Sequence, residues 1–179
     1  AVSSGLDSMV LADLCLKSEL NIALAHCNFK LREAESDKEE AFVSNYAKTH
    51  KLTFFTKHFN TTHFAETTKI SIQMAARELR YNFFDELCDS QQFDTILTAH
   101  HADDNLETFF INLSRGSGID GLTGIPKIND KIARPLLPFS RNQIYEYAKT
   151  HNIQWCEDSS NASLKYKRNA LRHELIPVL

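Results

Sequence analysis

The chain has 179 residues, of which 42% are apolar and 24% charged, a composition typical of a globular protein of about one domain. We find no apolar run long enough for a transmembrane helix and no signal peptide, and the four cysteines lie too far apart for a zinc or disulfide-rich pattern. The net charge of −3 excludes a globally basic nucleic-acid-binding protein. We therefore expect a cytoplasmic protein without a membrane partner, in which a nucleic acid would bind to a local basic patch.

Strands and helices alternate along the first half of the chain. Hydrophobic spacing and turn residues predict each of them. In order they are the end of a strand at 1–2, a tight turn at 3–5, a helix from Asp7, a strand at 21–25, a helix opened by a capping box at 36–39 and running to about Lys51, a strand at 52–57, a polar connection through 61–68, and a long helix at about 71–90.

The second half continues the alternation. The predicted elements are a strand at 95–98, a helix at 103–114, a glycine-rich loop at 116–124, a strand at 132–136, a helix opened by a capping box at 140–143 and running to His151, an extended piece around Trp155, and a last helix from about Leu164. This order predicts an α/β fold, a doubly wound and mostly parallel sheet with helices on both faces. Ligands of such folds bind beyond the carboxyl ends of the strands.

The opening turn, "SSGLDS" at residues 3–8, connects the first strand to the first helix. The first N–H groups of a helix have no internal partners, and the helix dipole adds about half a positive charge there. The turn is therefore suited to a phosphate group. An ordinary helix start capped by Ser3 or Ser4 is the alternative.

Acidic and histidine residues cluster between the predicted strand at 95–98 and the start of the helix at 103–114. Asp104 and Glu107 are one helical turn apart and share a face, although acids near a helix start are also common because of the dipole. His100 and His101 look like metal ligands, but no third ligand has suitable spacing. We favour polar residues that line a site.

Two groups of basic residues are candidates for anion binding. Arg77 and Arg80 lie on one face of the long helix, where solvent exposure or pairing with Glu78 or Glu86 is the alternative. No acid occurs between residues 164 and 173, so the last predicted helix carries a basic face that could equally be only solvated. Its basic residues are Lys165, Lys167, Arg168 and Arg172.

The turn at 3–8 resembles the S-G-G-x-D-S loop of the PP-loop ATP-pyrophosphatase superfamily, with Ser4 in place of the first glycine. If that position needs a positive φ, Ser4 costs about 1 kcal/mol. Further stretches resemble the N-terminal catalytic domain of the tRNA(Ile)-lysidine synthetase family, although Phe29 stands where that family often has histidine. These stretches are "AHCNFKLRE" (25–33), "ARELRYNFF" (76–84), "TAHHADDNLET" (98–108), "LSRGSGIDGLTGIP" (113–126), "RPLL" (134–137) and "EDSSN…YKRNALRHELIP" (157–177).

The resemblance implies an ATP- and magnesium-dependent reaction. The wobble cytidine of an isoleucine tRNA with a CAU anticodon is adenylated, and L-lysine then displaces AMP to give lysidine. It also implies that residues 1–179 form one PP-loop catalytic domain with a trimmed N-terminus, whose last helix leads toward absent C-terminal tRNA-binding domains. Whether the chain forms a homodimer is left open.

Site residues follow from the same resemblance. It assigns catalysis to Asp7, Arg80, Asp104, Glu107 and Arg172, and magnesium to Asp7 and Asp104. Substrate binding falls to Arg77, His100, His101 and Arg168. The leaving pyrophosphate would be held by Ser3, Ser4, Gly5, Leu6, Asp7 and Ser8.

Two other functions stay open. A PP-loop tRNA thiolase also adenylates a base carbonyl, but it needs a sulfur carrier, normally paired or cluster-binding cysteines, and the wide cysteine spacing argues against it. A non-catalytic ATP-binding module would explain Ser4, yet it leaves Asp104, Glu107 and the basic helix without a purpose.

Overall fold

The structure is a computed structural model that describes residues 1–32 and 34–157. The chain divides into two compact units. The first unit contains Ala1–Ser4 and Ala12–Ile96, and the second contains Gly5–Leu11 and the chain from Leu97 onward. Helix α1 (Leu6–Lys17) contributes residues to both units. The predicted last helix lies outside the described residues.

The first unit is built around a parallel strand pair joined through a helix. Strand β1 (Ala23–Asn28) is followed by α2 (Ala34–Thr49) and β2 (Thr53–His58). The two strands pair in parallel from Ala23 opposite Thr53 to Asn28 opposite His58. Alternate residues of β1 are buried, as expected for a strand with one face on a core. The unit continues with α3 (Thr61–Thr68) and α4 (Ile72–Gln91).

Aromatic side chains form the core of the first unit. Phe59, Phe83 and Phe84 are buried together, and partly buried side chains such as Phe29 and Phe55 pack around them. Burying one such ring contributes about 1.5–3 kcal/mol. The cluster fixes the chain just beyond the carboxyl ends of both strands.

Two predictions about the first unit are wrong for local reasons. Residues 61–68 form α3 rather than a connection, because Asn60 accepts a hydrogen bond from the His63 N–H at 3.2 Å and caps the helix. Ser36 does not open a capping box, because α2 begins two residues earlier and Ser36 is buried in its first turn. Helix α4 begins close to the predicted position, and Ser71 caps it, since Ser71 Oγ accepts from the Met74 N–H at 3.2 Å.

The second unit contains a small three-stranded sheet together with helices. Strand β3 (Ile96–Leu97) marks the boundary and is followed by α5 (Ala102–Ser114) and α6 (Ile119–Leu122). Strands β4 (Ile128–Asn129) and β5 (Ile132–Ala133) form an antiparallel pair, and the strand order is β3, β5, β4. The α/β prediction is confirmed; the antiparallel pair and α6 inside the glycine-rich loop were not predicted.

The glycine-rich loop is held against α5. The Asn112 side chain donates to the Gly121 carbonyl at 2.7 Å. Gly124 has φ +76°, and a Cβ there would lie 2.1 Å from Asn105 Oδ1, so only glycine fits. Past the loop, the buried Arg134 donates from Nη1 to the Pro126 carbonyl at 2.6 Å. These bonds explain why the loop follows one path despite its glycines.

Helix α7 (Arg141–Thr150) begins at the predicted capping box. Ser140 Oγ accepts from the Gln143 N–H, and Gln143 Oε1 accepts from the Ser140 N–H. Ile144 and Ala148 bury one face of the helix. Across the described residues, every helix is too short or too polar to cross a membrane.

Stability is expected to fall in acid because of His26, which is 3% exposed and donates from Nδ1 to the Val2 carbonyl at 2.9 Å. Burial lowers the pKa of His26, and the bond to Val2 only partly opposes this. Below about pH 6.5 the unfolded chain gains a proton that the folded chain resists, so stability rises with pH in this range. His26→Asn keeps a donor for Val2 and cannot titrate. Urea unfolding at pH 7.5 and 5.5 should show a smaller loss for His26→Asn than for the parent.

The exposed His63 on α3 provides the matched control. His63→Asn should leave the loss of stability between the two pH values as large as in the parent. An unchanged loss in His26→Asn would contradict the role given to burial.

Candidate active site

The opening turn leads directly into α1. The Gly5 carbonyl accepts from the Met9 N–H at 3.1 Å and from Ser8 Oγ at 2.9 Å. Leu6 is the first helical residue and is buried, while the Asp7 side chain is 31% exposed in the first turn. The N–H groups of this first turn have no helical acceptors. The turn therefore offers backbone donors beside a carboxylate.

Ser4 occupies the backbone conformation that the replaced glycine would favour. Its φ is +70°, in the left-handed region, and the residue is 1% exposed. A non-glycine residue in this region costs about 1–2 kcal/mol. The strain expected from the sequence is present.

Ser4→Gly is expected to stabilise the chain by about 0.5–1 kcal/mol, because the relief of backbone strain exceeds the entropy that glycine adds to the unfolded chain. The neighbouring Ser3 has no positive φ, so Ser3→Gly should destabilise the chain instead. Chemical denaturation of both variants measures the difference. A Ser4→Gly variant less stable than the parent would show that the hydroxyl outweighs the strain.

Within the second unit, three carboxylates surround one buried imidazole. His101 is 2% exposed. Its Nε2 lies 3.4 Å from Asp104 Oδ2 and 3.8 Å from Asp7 Oδ2, and its Nδ1 lies 3.9 Å from Asp103 Oδ1. The structure thus brings Asp7 together with His101 and Asp104, although Asp7 precedes His101 by more than ninety positions in the sequence.

Helix α5 orients these acids through its first turn. His101 is the N-cap residue, and its N–H donates to Asp104 Oδ2 at 3.1 Å. Asp103 Oδ1 accepts from the N–H of Arg141, the first residue of α7, at 3.1 Å. Asp103 therefore joins the starts of two helices. The sequence analysis did not identify Asp103 as a site residue, although its position directly before Asp104 in "ADDN" was an available signal.

Glu107 lies one turn beyond Asp104 and is 0% exposed. It is the only residue of α5 that is buried. A carboxylate removed from water is costly unless it is paired or hydrogen-bonded. The helix dipole favours exposed acids in the first turn equally well, so it does not account for this burial.

His100 has a different environment from its neighbour. Its Nδ1 lies 3.0 Å from Thr98 Oγ1, within hydrogen-bond distance. In the part of the chain that the structure describes, no three His, Cys, Asp or Glu side chains are arranged to hold a metal ion. A hydrogen-bonded polar residue is the simpler interpretation of His100.

Magnesium fits the carboxylates that the sequence analysis assigned to it. Asp7 Oδ2 and Asp104 Oδ2 both lie within 4 Å of the same imidazole nitrogen, so the two carboxylates are close to each other. Mg²⁺ binds oxygen ligands, usually one or two carboxylates together with substrate phosphates and waters. A pair of carboxylates beside a turn that offers backbone N–H donors matches that requirement.

The two candidate arginines lie on α4 in the first unit. The Arg77 guanidinium lies 4.7 Å from the centre of the Tyr81 ring, and that of Arg80 lies 5.2 Å from the Phe29 ring. Glu86, an alternative partner, pairs with Lys57 instead. Both arginines are exposed, and each makes a cation–π contact with an aromatic ring. Arg168, Arg172, Lys165 and Lys167 lie outside the described residues.

The cysteines of the first unit have the properties of structural thiols. Burial raises the pKa of Cys27 to about 11, and the positive charge of Arg80 only partly opposes this. Burial also raises the pKa of Cys15. Sulfur nucleophiles react as thiolates, so these two residues are poorly suited to carry sulfur.

A groove of about 650 Å³ lies beside the start of α5. Its lining includes Leu106, Phe109 and Leu122, with Asp103 and Asn105 as polar members. Asp7, Asp104 and Glu107 are not among its lining residues. Of the three acids around His101, the groove therefore includes Asp103 only.

Comparison with known proteins shows to which family the chain belongs. A model described as the PP-loop domain matches residues 1–179. The chain is 44% identical over 182 residues to tRNA(Ile)-lysidine synthase of Porphyromonas gingivalis, covering 100% of this chain and 40% of that protein. It is 42% identical over 183 residues to the protein of the same name from Chlorobaculum tepidum, covering 100% of this chain and 55% of that protein. The chain thus spans about half of these relatives.

A solved structure shares the fold. It is the U34-tRNA thiolase NcsA from Methanococcus maripaludis with its 4Fe-4S cluster. The match has a TM-score of 0.70 at 17% sequence identity and covers 87% of this chain and 57% of that chain. At this identity the likeness concerns the fold alone.

Proposed function

The chain belongs to the PP-loop domain family, and from this we propose that it catalyses the ATP-dependent ligation of L-lysine to the wobble cytidine of an isoleucine tRNA with a CAU anticodon. The products are lysidine, AMP and pyrophosphate. The observation that carries the proposal is the 38–44% identity to proteins named tRNA(Ile)-lysidine synthase along essentially the whole chain.

The reaction has two steps. The cytosine carbonyl oxygen attacks the α-phosphate of ATP, and pyrophosphate leaves. The ε-amine of lysine then bonds to the activated ring carbon, AMP leaves with the former carbonyl oxygen, and the amine loses a proton. No enzymatic nucleophile is needed, so the protein contributes alignment, worth about 7–11 kcal/mol, and charge neutralisation.

The opening turn is the proposed phosphate site. Backbone N–H groups of 3–8 at the start of α1 would hold the β- and γ-phosphates, with the Ser3 and Ser8 hydroxyls assisting. The Ser8 hydroxyl bonds to the Gly5 carbonyl, so it would rotate to reach a phosphate. A magnesium ion held by Asp7 and Asp104 would neutralise phosphate charge. A crystal soaked in ATP should show the triphosphate at this turn.

Asp104 and Glu107 are the proposed lysine site. Two carboxylates one turn apart can accept several N–H bonds from an ammonium group, which selects lysine over neutral amino acids. The Asp104 side chain is 14% exposed, whereas Glu107 is fully buried, so Asp104 would meet an entering ammonium first. Once C–N bond formation makes the amine acidic, one carboxylate can take its proton. Arg77 and Arg80 would neutralise the adenylate.

The experiment that tests the function is mass spectrometry of nucleosides from a tRNA pool incubated with the chain, ATP, magnesium and lysine. Lysidine should appear only when all components are present, and pyrophosphate release that continues beyond a single turnover should require both tRNA and lysine. A thiolated nucleoside would identify a thiolase instead. ATP binding without turnover would identify a non-catalytic module.

Binding of tRNA is expected to depend on Arg168, which belongs with Arg172 to the basic run at 165–172. Arg168→Ala should weaken tRNA binding and reduce the slope of log affinity against log salt by about one phosphate contact. Filter binding between 50 and 200 mM salt measures both. Unchanged affinity of the Arg168→Ala and Arg172→Ala variants at low salt would indicate a merely solvated helix face.

A further inference from the structure

Arg80 is held by an aromatic face and not by an acid. Its guanidinium carbon lies 5.2 Å from the centre of the Phe29 ring. Within the residues that the structure describes, Arg80 forms no ion pair with an acid. Lys57, another cation near this aromatic cluster, pairs with Glu86. Arg80 therefore keeps its full charge for another partner.

The Phe29 ring is a rigid support. The Phe29 carbonyl accepts from Thr61 Oγ1 at 2.9 Å, and Thr61 is 1% exposed. The ring stacks on Phe59 with centres 5.6 Å apart and planes inclined by 22°. Phe59 in turn packs edge-on against Phe83 in the core. Backbone and ring of Phe29 are thus both fixed by buried groups.

We propose that Phe29 is a positioning residue that orients the Arg80 guanidinium toward the anionic substrate. A long, exposed arginine side chain loses much of its rotamer entropy when it is fully ordered. A ring face that holds the guanidinium before the substrate arrives reduces that loss on binding. This inference rests on the proposed function, because it takes the substrate of Arg80 to be ATP or its adenylate.

The type of contact matters as much as its presence. A cation over a ring is attracted to the π-face, and this leaves the N–H donors at the guanidinium edge for phosphate oxygens. A carboxylate partner would occupy those donors and cancel the charge. Phenylalanine at position 29 therefore orients Arg80 without competing with the substrate.

A double-mutant cycle tests the proposal. The cycle consists of the parent, Phe29→Leu, Arg80→Gln and the double variant. Calorimetry measures the binding of magnesium-ATP to each of them. Steady-state kinetics give kcat and KM for tRNA-dependent pyrophosphate release. Phe29→Leu should lower kcat/KM for ATP by about two- to fivefold, the size of an exposed cation–π contact. Phe29→Tyr keeps an aromatic face and should therefore have the parental kcat/KM for ATP. In the Arg80→Gln background, Phe29→Leu should have no further effect.

Phe55→Leu is the matched control, because Phe55 packs on the same cluster and edge-on against Phe93. Among the described residues, no cation lies over the Phe55 ring. It should lower the melting temperature as Phe29→Leu does, while leaving kcat/KM for ATP unchanged. An equal effect of Phe29→Leu in both backgrounds, or Arg80→Gln with parental ATP binding and turnover, would overturn the proposal. If the parent binds ATP but forms no lysidine, the proposed function fails, and the calorimetric cycle still decides the role of Phe29.

Discussion

Glu107→Gln is expected to slow lysidine formation by about two to four powers of ten, the contribution of a positioned general base, while ATP binding is retained. The substitution keeps the size of the side chain and removes its charge. It should also raise the lysine concentration needed for half-maximal rate, because an ammonium group loses a carboxylate partner.

The burial of Glu107 explains why the effect should be this large. The side chain is 0% exposed, so no water screens its interaction with an ammonium group. In the proposed reaction, the adenylation step comes earlier and does not involve lysine. In a single turnover, Glu107→Gln should therefore release pyrophosphate at the parent rate and accumulate adenylated tRNA.

Quench-flow measurement of pyrophosphate and lysidine separates the two steps. Glu146→Gln is the control, since Glu146 is an exposed acid on α7 that forms no ion pair with another described residue. It should leave both rates unchanged. Parental lysidine formation by Glu107→Gln at limiting lysine would mean that Glu107 is a structural acid and that the lysine site lies elsewhere.

Helix starts that depend on a local side chain could be predicted from the sequence. Ser140 caps α7 as predicted, because a capping hydrogen bond spans only three residues. Ser71 caps α4 in the same way, although only the helix and not its cap was predicted. Ser36 fits the same pattern and is wrong, because tertiary packing buries it inside α2. A short motif does not show whether tertiary packing will bury the residue that it predicts to be a cap.

The acidic cluster was predicted only in part. The spacing of Asp104 and Glu107 places both on one helix face, and this follows from helix geometry alone. The approach of Asp7 to His101 depends on how distant segments pack, which no local pattern encodes. The burial of Glu107 and the link from Asp103 to Arg141 have the same origin.

Ser4 shows what a family pattern adds to local reasoning. Serine carries no intrinsic signal for positive φ, and glycine at the corresponding position of the resembling loop supplied that signal. The structure places Ser4 at φ +70°. The contact of Arg80 with Phe29 had no such signal, because cation–π pairs have no characteristic spacing in sequence.

Asp104→Asn is expected to affect an earlier step than Glu107→Gln and to slow pyrophosphate release by about a hundredfold, as for the loss of one positioned electrostatic group. Asparagine can still accept the His101 N–H through its side-chain oxygen, so the start of α5 should persist. What is lost is the negative charge that, with Asp7, would hold magnesium. A higher magnesium requirement should therefore accompany the slower adenylation.

The neighbouring Asp103 provides a sharp comparison, because its carboxylate accepts from the Arg141 N–H at the start of α7. An asparagine oxygen can accept the same bond, so Asp103→Asn should change the pyrophosphate burst by less than about tenfold. Both variants are measured in single turnovers across a magnesium titration, with circular dichroism to verify folding. If Asp104→Asn kept the parental burst and magnesium dependence while lysidine formation fell, Asp104 would contact lysine alone, and Asp7 would remain the carboxylate assigned to the metal.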